Sequence, residues 1–139
     1  MTFSARRLLG IVIGAALGIL IYRHLVGSRP LSDADLARTS AELNRRLPIM
    51  VDSQTQLVST TGTGRVLQYN YHLVNVTVTP DQATALMNME RPRIRNFACS
   101  TPATRNTFLK QGITLRYAYT DRNGYDLFTI EVTPENCGF

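Results

Sequence analysis

The sequence predicts an α+β domain behind an N-terminal transmembrane helix. The expected sheet is antiparallel, of about four strands, with helices packed on one face, in the order α-β-β-α-α-β-β. Three observations lead there: an uncharged apolar run near the start, strand-like alternation ending in a hairpin signal, and three marked helix starts. At 139 residues, the chain divides into an anchor over 1–28 and one small domain over 29–139.

The apolar run extends from Leu8 to Tyr22, preceded by Arg6 and Arg7 and followed by Arg23 and His24. As a helix it reaches about 22 Å, and extension to Gly27 with Arg23 snorkelling brings it near the roughly 30 Å of a hydrocarbon core. Gly10, Gly14 and Gly18 fall on one helical face, where absent side chains let a second membrane helix approach closely. The alternative is a cleaved signal peptide, with "VGS" as its only cleavage candidate. Basic residues before the run place the N-terminus inside and the domain outside, in a bacterial periplasm beyond the inner membrane.

In the domain, Ser32 reads as a helix N-cap, with Asp33 and Asp35 in the first turn and Leu31 and Leu36 as a hydrophobic staple. Leu36, Leu43 and Leu47 form the apolar stripe, and Pro48 stops the helix. Two strands flank "TTGTG": a polar one over 55–60 suited to a sheet edge, and 65–73, which aligns Leu67, Tyr69, Tyr71 and Leu73. After Leu73 the apolar phase shifts to Val74, Val76 and Val78, which suggests a bulge or a bend. Thr79-Pro80 with Gln82 starts a second helix, expected to end at Pro92, with a further helical piece at Ile94–Cys99. Thr101-Pro102 opens another that stops at Gly112.

The chain closes on a hairpin. Asn123-Gly124 predicts a two-residue type I′ turn pairing Arg122 with Tyr125. That register sets Tyr119 opposite Phe128, Tyr117 opposite Ile130, Leu115 opposite Val132, and Arg116 opposite Glu131.

The two cysteines, Cys99 and Cys137, lack metal-ligand spacing, and in an oxidising compartment they favour one disulfide over two buried thiols. The net charge of +5 rests on arginine except for Lys110. "RPRIR" concentrates Arg91, Arg93 and Arg95 as a possible anionic contact, against the plainer reading of a solvated loop. An extracytoplasmic domain argues against nucleic acid. No nucleophile–base pair, phosphate loop or metal motif stands out, so no catalytic residue, metal or cofactor is expected, and no small-molecule substrate. Tyr69, Tyr71, Tyr117 and Tyr119 read as core or as a recognition face, and strand 55–60 as open to strand addition.

The succession "LPIMVDSQTQL", "YNYHLVNV", a cysteine, "FLKQGITLRYAYTDRNG" and a closing cysteine resembles small bacterial proteins without a characterised function. Those carry a signal or membrane anchor and a disulfide-tied α+β domain. The resemblance spans residues 47–137, implies an envelope location, and transfers no activity or site residue. The expected function is protein–protein interaction, as an accessory or assembly factor of an envelope complex that contacts the membrane and a protein partner. An immunity-type inhibitor of a toxic partner is the alternative, and a small envelope enzyme the third.

Overall fold

A computed structural model describes residues 29–139. The anchor over 1–28, with Gly10, Gly14 and Gly18, lies outside the described residues, and among the described residues no helix is long and apolar enough to cross a membrane.

Helix α1, Asp33–Asn44, begins where the sequence marks it. The Ser32 hydroxyl accepts from the Asp35 N–H, and the Asp35 carboxylate accepts from the Ser32 N–H at 3.0 Å and from its hydroxyl at 2.6 Å. Those two Ser32 hydrogen bonds, with Arg29 and Arg38 beside them, hold the Asp35 carboxyl well below the usual carboxylate range. Leu31, Leu36 and Leu43 are buried, as the staple and stripe require.

Strands β1 (Ile49–Met50), β2 (Thr55–Thr63), β3 (Val66–Leu73), β4 (Thr114–Thr120) and β5 (Asp126–Val132) form one sheet in sequence order. The expectation of a wholly antiparallel, four-stranded sheet is corrected on two points. A fifth strand, β1, folds back on β2, with the Asp52 carboxylate accepting from the Gln54 and Thr55 N–H groups in the turn between them. Strands β3 and β4 run parallel, because the connection over 74–113 carries two helices and crosses back to the end of the sheet where β3 begins.

The β2–β3 turn is Gly64–Arg65, both at positive φ, as a type I′ turn needs. Arg65 is held there by side-chain bonds to the Leu31 and Gln111 carbonyls. The Asn123-Gly124 turn is different from the expectation. Only Gly124 has positive φ, the Asp121 N–H donates to the Tyr125 carbonyl, and Gly124 N–H donates to the Asp121 carbonyl. The loop is therefore three residues, Arg122 to Gly124, and the Asp121 carboxylate accepts from the N–H groups of Asn123 and Tyr125. The predicted register nonetheless holds from Tyr119–Phe128 to Leu115–Val132, because a bulge at Leu127 absorbs the displaced residue.

A second bulge lies at Val58 in β2; after Leu73 the chain leaves β3 in a turn, so of the two expectations there the bend fits and the bulge does not. The Val58 bulge lets Leu57 and Thr60 both point inward.

Helix α2 runs unbroken over Pro80–Ser100, correcting the expected stop at Pro92. Its start carries the Thr79–Gln82 capping box. Ala83, Leu86, Glu90, Ile94 and Ala98 keep one buried stripe on both sides of the proline. An interior proline costs about 3 kcal/mol; burying side chains such as Leu86 and Ile94, at about 1.5–3 kcal/mol each, offsets it. Helix α3, Pro102–Thr107, and a short turn over Leu109–Gln111 lead to Gly112, left-handed at φ 80°.

Both long helices cover the same sheet face. On it Tyr69 stacks with Tyr117 at 5.5 Å, Tyr71 with Tyr119 at 5.0 Å, and Tyr119 with Phe128 at 4.8 Å. The tyrosines are thus core. Burial raises the hydroxyl pKa of Tyr69, Tyr71 and Tyr117 well above the ordinary value.

Candidate functional site

Because the helices occupy one face, the opposite face of the sheet has no helix over it among the described residues. Its floor is polar and internally bonded. Gln68 donates to Asn70, Asn70 donates to Ser59, and the His72 Nδ1 lies 3.1 Å from the Thr120 hydroxyl. The Arg116 guanidinium donates to Glu131 at 2.7 Å, the cross-strand pair expected from the register. A shallow hollow of about 720 Å³ opens over this floor, between the bulged residues Val58 and Leu127.

Strand β5 is the outermost strand on its side of the sheet. Two further hollows border it on the helix side. One, about 470 Å³, lies between the start of α2 and the β4–β5 loop, with Val78, Ala83, Met87, Leu127 and Phe128 as apolar lining. Tyr125 stands at its rim, 71% exposed, and Asp126 is exposed beside it. The other, about 580 Å³, lies at the far end of β5 and includes Arg91, Arg95, Glu131 and the disulfide. Asp126, Leu127 and Phe128 line both the open-face hollow and the one beside α2, so the two meet across the edge of β5.

On the opposite side of the sheet the edge of β2 is largely covered. Strand β1 pairs with Leu57 and Gln56, and beyond it the Asn44 carboxamide behaves as a peptide unit, accepting from the Thr60 N–H at 2.7 Å and donating to the Thr60 carbonyl at 2.9 Å. Thr60 is also bonded through its hydroxyl to Ser40. At Gly62 the backbone of α1 comes so close that a Cβ would collide with the Leu36 carbonyl. The segment 55–60 therefore is not the open edge its polarity suggests.

Cys99 and Cys137 form a disulfide joining α2 to the short turn over Glu135–Cys137 after β5. The same junction carries Arg95, whose guanidinium donates to the Asn136 carbonyl at 2.8 Å. Of the three arginines of "RPRIR", Arg91 and Arg95 share one hollow, while Arg93 turns aside toward Glu90 at 3.8 Å. His24 lies outside the described residues. Among the described residues no three His, Cys, Asp or Glu side chains gather as metal ligands would. Glu90 is buried in the stripe of α2, and Asp52 shapes the β1–β2 turn. The margin residues Tyr125, Asp126 and Leu127 did not stand out in the sequence. The adjacent apolar pair Leu127–Phe128, which breaks strict alternation, is the trace of the bulge that exposes them.

No family model matches the chain, and no curated protein is similar to it in sequence. Solved structures do share its fold. A protein of Pseudomonas aeruginosa described as secreted is similar with a TM-score of 0.60 at 15% identity, over 79% of this chain and 99% of that one. A pilotin of the type 2 secretion system of Vibrio vulnificus is similar with a TM-score of 0.57 at 16% identity, over 77% of this chain and 92% of that one.

Proposed function

We propose that this chain is an accessory protein of the bacterial envelope, which holds a partner protein during assembly of an envelope complex. The observation that carries the reading is the margin of β5, which no further strand covers among the described residues, with a hollow lined in part by Val78, Met87 and Phe128 on its helix side and an open face on the other. Such a surface offers area and backbone hydrogen bonds to a polypeptide. Two things support the envelope setting: the disulfide, which persists in oxidising compartments, and the fold shared with a pilotin and with a protein described as secreted. In this reading residues 1–28 tether the domain to the inner membrane, with Gly10, Gly14 and Gly18 as a helix contact and the domain in the periplasm.

A photo-reactive amino acid at Tyr125, in cells carrying the full chain, tests the reading. It should crosslink one membrane-complex protein, while the same group at Ser53 beside the β1–β2 turn should not. A stoichiometric soluble partner would favour the inhibitor instead, and equal labelling from both positions would remove the site.

A further inference from the structure

We infer that the β5 edge binds an extended segment of about six residues, which adds to the sheet antiparallel to β5 with an acidic residue at its start and a basic one at its end. The inference rests on the protein-binding reading above and specifies its ligand.

The backbone supplies the first argument. Thr114 donates its N–H to the Arg65 carbonyl, so the even residues of β4 bond toward β3. Leu115, Tyr117 and Tyr119 then bond toward β5, on Val132, Ile130 and Phe128. This alternation turns the N–H and C=O groups of Thr129 and Glu131 outward, to the side where the sheet has no further strand among the described residues. Asp126 to Glu131 spans about 17 Å, the length of a six-residue strand.

Side-chain space supplies the second. In an added strand alternate residues point to opposite faces. One row would enter the apolar hollow beside Met87 and Phe128, and the other would lie on the open face against Leu127. A branched or aromatic side chain suits the first row.

Charge supplies the third, and sets the direction. Asp126 is exposed at the start of β5. Arg91 and Arg95 stand at its other end, where Arg116 already neutralises Glu131. A basic residue therefore belongs beside Asp126 and an acidic one beside the arginines. Antiparallel addition, the more stable pairing per residue, puts the acidic residue first.

The probe is a capped peptide, acetyl-Glu-Thr-Val-Thr-Leu-Thr-Lys-amide, added to the full chain in detergent micelles. A second peptide exchanges its Glu and Lys. Amide hydrogen exchange and chemical shifts should show new protection at Thr129 and Glu131, with binding of the exchanged peptide weaker by roughly tenfold. Methylating alternate amides of the first peptide should abolish binding without any change to the protein. Thr129→Pro, which an edge strand can accommodate, should do the same. Equal affinity of the two charge patterns, no protection at Thr129 and Glu131, or shifts confined to Gln68, Asn70 and His72 would each overturn strand addition. A Tyr125 crosslink in cells alongside such a result would leave the accessory role standing and remove only this mode of binding.

Discussion

The two margins of the sheet are built on opposite principles. At the β2 margin β1 pairs with Gln56 and Leu57, the Asn44 carboxamide bonds both backbone groups of Thr60, and a helix presses so near that only glycine fits at 62. At the β5 margin the strand is flanked by hollows, with the Asp121 contacts at its near end and Cys99–Cys137 and the Arg95–Asn136 contact at its far end. Open edges invite pairing with other chains, and native proteins generally block them. In the proposed reading, the covered β2 margin and the unpaired β5 margin leave the second as the place for a partner.

The largest effect should come from cutting the covalent tie. Cys99→Ala with Cys137→Ala should cost about 3–4 kcal/mol in denaturant unfolding. Loss of stability without loss of the Tyr125 crosslink would show that the β5 margin forms without the tie. Next is Asn44→Ala, which leaves the Thr60 N–H and carbonyl without their Asn44 bonds and should cost about 2 kcal/mol. By contrast Thr129→Lys at the other margin should stay within about 0.5 kcal/mol. Equal costs at the two margins would erase the distinction between them.

The smallest effect concerns the anchoring of α1 beside the covered margin. The Asp35 carboxyl is depressed in the fold, so its contribution is present above the unfolded value of about 3.9 and is lost as pH falls toward the folded one. Stability of the wild type should therefore fall below about pH 4. Asp35→Asn should start lower and lose that part of the acid slope, read as unfolding midpoint against pH. An unchanged slope would show that the Ser32 contacts do not discriminate between the two protonation states.

Several local signals of the chain are met in the structure, while the two-residue turn at Asn123-Gly124 and a side-chain cap at Thr101 are not. The caps at Ser32 and Thr79, the left-handed Gly112 and the alternation of Leu67, Tyr69, Tyr71 and Leu73 depend on neighbours within a few residues. Pro92 does not end the helix, because a proline is a local signal, whereas the buried stripe that overrides it faces the sheet. The hairpin register came out as expected through two departures that cancel, a longer loop and the bulge at Leu127.

What the amino-acid order determined, then, was the identity and inward face of nearly every element, since propensity, capping and periodicity act over one or two turns. Only the tertiary structure decided the parallel pairing of β3 with β4, the stacking of Tyr69 on Tyr117, and which margin is covered. Those follow from where a long crossover returns the chain. No short-range pattern can encode the spatial neighbour of a strand whose partner lies some fifty residues away, as Tyr69 and Tyr117 do.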